Sequence, residues 1–389
     1  MTPIPLLLSA GEASGDMYAA RLATALQARA DVKLFGMGGP QMRAAGVEIV
    51  TDYSEVSVVG ITEILSHLPS LIRAMRRLVN AAETRKPALA ILTDFPGFHL
   101  RLARKLKSRK IRNAYYICPQ FWAWRPWRVR IVRRRFAQAL CIFPFEEKFY
   151  SGAGVPTKFI GHPLVGNVNP TVDRAAFLRE QDLNPALPVV AVLPGSRTAE
   201  LNQHLPILRE ACQRIHRETQ AQFLIAAAHN NKAKTLREGW PANLPTRVVE
   251  DRTYDTLAAA DAAIVSSGTA TVETALLDVP MVVVYRVTPL TAFLAKPLLR
   301  TPFFSMVNLI AGKQVVPELI QGDFTPARVS QEVLKLLRDP AARDAMRANL
   351  AEVRSRLGPP GAVDRAADAI LALVGAQPQG RALARPPYT

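Results

Sequence analysis

The sequence predicts an α/β protein built from two parallel-sheet domains, and three observations predict it. At 389 residues the chain exceeds the roughly 250–300 at which a single hydrophobic core usually splits. Short runs that are apolar at every position recur at 4–9, 88–93, 189–193, 222–227, 262–265 and 281–285, each leading into a turn and a helical pattern. Strands of that kind are buried on both faces, the condition of a parallel sheet covered by helices. The alternation pauses between 161 and 188, where Pro163, Pro170, Pro185 and Pro188 mark an interdomain linker. The expected domains are 1–162 and 163–339, with helices at about 340–374 packing back on the first and a disordered tail at 375–389.

Composition fits a globular enzyme, with 49% of residues hydrophobic and 21% charged. Lys and Arg number 49 against 32 acids, and a net charge of +17 points to a polyanionic partner without choosing among nucleic acid, anionic lipid and phosphorylated substrates. Three widely spaced cysteines, Cys118, Cys141 and Cys212, suit neither a disulfide framework nor a zinc site, so a reducing compartment is expected. Residues 1–10 lack a basic segment and read as a first strand, not as an export signal. No run reaches the ~18 apolar residues of a spanning helix, so any membrane contact is expected to be peripheral.

Three strand-to-helix turns have the character of phosphate sites. After the first strand, Gly11-Glu12-Ala13-Ser14-Gly15-Asp16 precedes a helix expected over 17–26; glycines admit a ligand close to backbone amides, and helix N-termini favour anions. The plainer alternative is a tight turn in which Ser14 or Asp16 caps the helix. Leu193-Pro194-Gly195-Ser196-Arg197 repeats the arrangement with an arginine, whose forked donors match phosphate oxygens; pairing of Arg197 with Glu200 is the alternative. Ser266-Ser267-Gly268-Thr269 is the third, with Glu273 one turn into its helix, where a carboxylate can accept from vicinal ribose hydroxyls.

The strand at 88–93 ends in Asp94, which places a carboxylate at the ligand-facing edge of the first sheet and makes it the candidate general base, with His99 as the weaker alternative. Residues 101–135 carry 13 lysines or arginines and no acid, interleaved with Tyr115, Tyr116, Phe121, Trp122, Trp124 and Trp127. Such a mixture suits base stacking or a lipid interface. Upstream, Ile61, Ile64, Leu65, Leu68, Leu71, Ile72 and Met75 recur at spacings of three and four, with Arg73, Arg76 and Arg77 off the stripe. That pattern describes an interfacial helix facing a membrane, and equally one facing a core.

Taken together, Ser9-Ala10-Gly11-Glu12-Ala13-Ser14-Gly15-Asp16, Cys118-Pro119-Gln120-Phe121-Trp122-Ala123-Trp124-Arg125, Phe159-Ile160-Gly161-His162-Pro163, Leu193-Pro194-Gly195-Ser196-Arg197 and Ser267-Gly268-Thr269-Ala270 resemble the lipid-A-disaccharide synthase family over roughly 5–370. The resemblance implies an inverting B-type glycosyltransferase with two Rossmann-like domains facing across a cleft. It implies transfer of 2,3-diacylglucosamine from UDP-2,3-diacylglucosamine to the 6-hydroxyl of 2,3-diacylglucosamine 1-phosphate, giving a β-1,6-linked lipid A precursor and UDP. Family roles then fall on Asp94 as base, Glu12 near the reacting sugars, Arg197 on the nucleotide phosphates and Glu273 on the ribose. Gly11, Ser14, Ser196, Ser267, Gly268, Thr269 and Asn308 complete the implied substrate-binding set.

No metal or cofactor is implied, since arginine and helix ends can neutralise the departing diphosphate. The expected setting is cytoplasmic, on the anionic inner face of the inner membrane of a Gram-negative-type bacterium, with a homodimer implied. Gly97 and His99 depart from the family, many of whose members carry an aspartate and an asparagine there, and the departure bears on acceptor binding. Two other readings compete. A UDP-N-acetylglucosamine 2-epimerase-like enzyme would share the nucleotide turns but has no use for the basic aromatic stretch. A nucleic-acid-binding protein would explain the charge but not the two phosphate-type turns of the second domain, so no nucleic-acid partner is expected.

Overall fold

The computed structural model describes residues 2–56, 68–227, 233–288 and 301–376. The chain forms two compact units, one of Met1–Pro163 with Gly358–Thr389 and one of Leu164–Leu357.

The first unit is a seven-stranded sheet of β1 (Ile4–Ala10), β2 (Val32–Gly38), β3 (Glu48–Asp52), β4 (Leu89–Thr93), β5 (Asn113–Tyr116), β6 (Gln138–Cys141) and β7 (Thr157–Phe159). All neighbours pair in parallel, in the order β3-β2-β1-β4-β5-β6-β7. Leu6, Leu7 and Leu8 of β1 and Leu89 to Leu92 of β4 are fully buried, as central strands covered on both faces must be. Strand order reverses between β1 and β4, paired through Ala10 and Thr93, so the loops leaving these two strands diverge and open a crevice at their carboxyl ends.

The helix after β1 runs over Ala13–Gln27, four residues earlier than the sequence pattern indicated, with Glu12 as its N-cap residue. Asp16 does not cap it. Its buried carboxylate accepts from the amides of Gly39, Gln41 and Met42 at 2.7, 3.0 and 3.2 Å and so anchors the next short helix, Pro40–Ala44.

The helix Leu68–Arg85 corrects part of the membrane expectation. Ala74, Met75, Leu78, Val79 and Ala82 lie in the core cluster and Leu71 packs against it, because this face covers the sheet. Ile72 alone of the described stripe is turned outward, 44% exposed. Ile61, Ile64, Leu65 and the side chain of Leu68 lie outside the described residues.

The second unit holds β8 (Val189–Leu193), β9 (Gln222–Ala227), β10 (Thr246–Glu250), β11 (Ala262–Ser266), β12 (Met281–Tyr285) and β13 (Glu318–Ile320). They form a parallel sheet in the order β10-β9-β8-β11-β12-β13, reversing between β8 and β11.

Residues 340–374 do not return to the first sheet as one piece. The helix Pro340–Arg356 stays with the second unit, where Arg354 meets Asp278 at 2.6 Å and the Met281 amide lies 3.2 Å from the Met346 sulfur. Gly358 and Gly361, at φ 84° and 89°, then turn the chain through left-handed backbone open to glycine. Only the helix Ala362–Val374 packs on Ala13–Gln27, with Arg29 bridging Asp364 at 2.7 Å and Asp368 at 3.0 Å. The expected tail begins at Gly375, and 377–389 lie outside the described residues. Cys118, Cys141 and Cys212 are free and buried. Among the described residues no helix is long and apolar enough to cross a membrane.

Candidate functional site

In the first unit the reversal between β1 and β4 brings together Glu12 and Asp94, carried on the turns that leave the two strands. Asp94 and the next residue, Phe95, both take left-handed backbone, φ 45° and 47°, at a cost of roughly 1–3 kcal/mol each. Three contacts hold that conformation. The Asp94 carbonyl accepts from His99 Nδ1 at 2.8 Å and from the Tyr115 hydroxyl at 2.9 Å. The Phe95 ring lies over Gly11, where an added Cβ would stand 2.2 Å from ring carbon, so only glycine fits.

His99 is a lock rather than a base. A carbonyl can only accept, so Nδ1 carries the proton, and burial pushes the imidazole down to about 4, keeping it neutral. Nε2 is then the acceptor for the Ser9 hydroxyl at 2.8 Å, which ties β1 to the corner bearing Asp94.

Asp94 itself is pushed up to about 7, by burial first and then by the neighbouring Glu12 carboxylate. A carboxylate poised there is matched to removing a hydroxyl proton near neutral pH. Gly11 is buried against Phe95, while Glu12 and Ser14 are exposed at the start of the helix, on the ligand side of β1.

The aromatic segment is fixed by Glu146, a residue that no pattern in the sequence singles out. Fully buried, it accepts from Trp122 Nε1 at 3.1 Å and from the amides of Ile142 and Phe143 at 3.3 Å, and burial pushes it up to about 8.

In the second unit the reversal between β8 and β11 joins the other two turns. Glu200 accepts from the amides of Ser196 and Arg197 at 3.2 and 3.4 Å and from the Arg197 guanidinium at 3.0 Å. The Arg197 side chain is 76% exposed, so this pair restrains it weakly. Ser266 at the end of β11 has a buried hydroxyl with no protein partner, facing the Gly195 backbone. Gly268 and Thr269 begin the helix Thr269–Leu276 and are exposed, so its first-turn amides are accessible to an anion. Glu273 is pushed up by burial and accepts from the Tyr254 hydroxyl at 3.3 Å.

Two expected ligand contacts are otherwise engaged. The Ser267 hydroxyl donates to the Phe304 carbonyl at 2.8 Å and its amide to Val284, so neither donor is directed at a phosphate. Asn308 is fully buried and spends all its capacity inside the fold: Nδ2 donates to Val316 O and Glu318 Oε1 at 3.0 and 2.7 Å, and Oδ1 accepts from the Val315 and Val316 amides at 2.7 and 3.0 Å. Glu318 in turn takes the Phe304 and Ser305 amides at 2.9 Å. Asn308 thus positions the 304–308 turn against Ser267. His204, also unforeseen, donates from Nδ1 to Pro194 O at 2.7 Å and accepts the Arg286 amide at 3.0 Å, joining the ends of β8 and β12. Arg286 lies 82 residues from His204 in sequence, and no local signal marks these partners.

The residues match the family model described as lipid-A-disaccharide synthetase over 6–359. The chain belongs to the lipid-A-disaccharide synthetase family. A lipid-A-disaccharide synthase of Solibacter usitatus is 44% identical over 374 residues, covering 96% of this chain and 98% of the relative. That of Myxococcus xanthus is 44% identical over 383 residues, covering 97% and 99%. Among solved structures, the calicheamicin glycosyltransferase CalG4 aligns with a TM-score of 0.59 at 18% identity, covering 96% and 99%. The UDP-GlcNAc 2-epimerase from Neisseria meningitidis bound to UDP-GlcNAc aligns at 0.60 and 10% identity, covering 96% and 99%. The fold alone therefore does not separate transferase from epimerase. Membership of the lipid-A-disaccharide synthetase family does: the protein is a B-type glycosyltransferase of lipid A biosynthesis.

Proposed function

We propose that Asp94 is the general base that activates the acceptor hydroxyl in this family's reaction. The donor is UDP-2,3-diacylglucosamine, the acceptor 2,3-diacylglucosamine 1-phosphate, and the product the β-1,6-linked disaccharide 1-phosphate with release of UDP. The observation that carries the assignment is the place of Asp94 beside Glu12 at the strand-order reversal of the first sheet, where burial first and then the Glu12 charge raise it to about 7. As the acceptor 6-hydroxyl attacks C1 of the donor sugar, its proton passes to Asp94. The C1–O bond to the diphosphate breaks, and UDP leaves as an anion. Gly11, Glu12 and Ser14 line the acceptor side.

The second unit takes the nucleotide. Arg197, the Ser196 turn, the Ser266 hydroxyl and the Gly268–Thr269 helix start meet the diphosphate, where fixed donors stabilise the growing negative charge. Glu273 receives the ribose hydroxyls. This donor set neutralises the leaving group without a metal. The net charge of +17 and the outward Ile72 support work at an anionic membrane surface, on the cytoplasmic face of the inner membrane, and we propose a homodimer as the working form.

The test is UDP release from UDP-2,3-diacylglucosamine in detergent, with and without acceptor. Release that needs the acceptor and is abolished in Asp94→Ala supports the assignment. Full activity in Asp94→Ala removes Asp94 as base.

A further inference from the structure

Five arginines described in the first unit, Arg29, Arg43, Arg77, Arg85 and Arg109, each form an ion pair with a carboxylate. Arg125 and Arg128 do not. Among the described residues neither guanidinium has a hydrogen-bond or carboxylate partner, although both are partly buried. They bracket one indole, with Arg125 4.5 Å and Arg128 5.8 Å from the Trp124 ring, and Arg128 also lies 5.8 Å from Phe121. The charges of Arg125 and Arg101 both press on Arg128 and, after burial, hold its pKa below the usual guanidinium value. Three like charges gathered without a counter-ion are costly unless an anion joins them.

The cluster also has a place relative to the reaction. The phenol of Tyr115 feels both Arg128 and Asp94, and its hydroxyl lies 2.9 Å from the Asp94 carbonyl. Arg101 extends from the helix Pro96–Lys107 that begins just after Asp94, with its guanidinium 2.7 Å from the Gly97 carbonyl. A Cβ placed on Gly97 would meet nothing within 4 Å, so the surface there is open. Arg101 further lines a cavity of about 580 Å3 with Arg104, Lys105, Ser108, Arg109 and Arg135.

We propose that Arg128, with Arg125 and Arg101, forms the subsite that binds the phosphate monoester of the acceptor sugar, beside Asp94 in the first unit. The inference rests on the reading of Asp94 as the acceptor's base. A dianionic phosphate offers enough acceptor oxygens to engage three guanidiniums. Bound there, it would leave the far side of the same sugar ring for the hydroxyl that Asp94 deprotonates, so the cluster sets which acceptor is used and which of its hydroxyls reacts.

The full chain in detergent tests this by comparing acceptors with and without the phosphate. In the wild type kcat/KM favours the phosphorylated acceptor, and Arg128→Gln or Arg125→Gln reduces that preference at least tenfold, chiefly through acceptor KM, while Arg128→Lys restores part of it. A direct readout needs no turnover: inorganic phosphate added to the protein perturbs tryptophan fluorescence through Trp124, and Arg128→Gln abolishes the response. Preference retained in both glutamine variants, or a phosphate response that persists in Arg128→Gln, overturns the subsite. Absence of transfer to either acceptor in the wild type would instead sink the function proposed above, and the fluorescence titration would still decide the phosphate site. Melting curves confirm that the variants are folded, and Arg128→Lys, which keeps the charge, guards against loss of packing.

Discussion

The carboxyl groups of Asp94 and Glu12 stand together at the carboxyl ends of two adjacent parallel strands, and burial first, then the Glu12 charge, raises Asp94 to about 7. Each partner does a different job: burial and the neighbouring charge raise Asp94, while Glu12 stays exposed.

This pairing sets the pH dependence. The base must be ionised, so kcat/KM rises with pH through about 7. Glu12→Gln removes the neighbouring charge but leaves the burial, which is the larger cause. The acid limb should move down by up to about one unit, with a fall in rate. A limb that stays where it was in a pH–rate profile of Glu12→Gln would assign it to another group.

The same shift has a cost in stability. Because the folded pKa of Asp94 lies above its ordinary value of 3.8, its stabilising contribution is fully present below about 3.8 and is lost as pH rises through about 7. Asp94→Asn is neutral throughout, and asparagine tolerates the left-handed backbone at φ 45°. The variant should be inactive yet melt several degrees above the wild type near pH 8, with the difference closing towards pH 4. Equal melting temperatures across that range in a calorimeter would contradict the raised pKa of Asp94.

Arg197 should matter for nucleotide and little for folding. Its pair with Glu200 is exposed on the arginine side, so Arg197→Ala should cost under ~1 kcal/mol of stability. UDP affinity should fall by roughly 10- to 100-fold, and Arg197→Lys should recover only part because one ammonium cannot replace the forked donors. Titration calorimetry with UDP reads this directly, and undiminished affinity in Arg197→Ala would place the diphosphate elsewhere.

Asn308 should behave in the opposite way. Asn308→Ala strands the Val315 and Val316 amides and removes two donors from Val316 O and Glu318, in a site with no exposure. A loss of about 2–4 kcal/mol is expected, with catalytic effects arising from displacement of the 304–308 turn. Denaturant melts that show an undisturbed fold, together with a large fall in kcat, would return Asn308 to direct substrate contact.

The sequence determined by itself the α/β class, six of the strands and the strand ends from which the candidate turns leave. Runs such as Leu6-Leu7-Leu8 and Val189-Val190-Ala191-Val192-Leu193 can bury both faces only inside a parallel sheet, and the turns that leave such strands lie at the ligand edge. Among the strands it left unread, β5, β6, β7 and β13 have only three or four residues and β2 carries glycines, so too few positions exist to show a period. Only the tertiary structure decided that Met75 faces the core, that His99 is a neutral lock joined to Ser9 90 residues away, and that Asn308 is consumed by the fold. An amphipathic pattern records which residues leave water. Which surface, proton donor or charge replaces that water depends on contacts between segments far apart in the chain, and those exist only once the chain has folded.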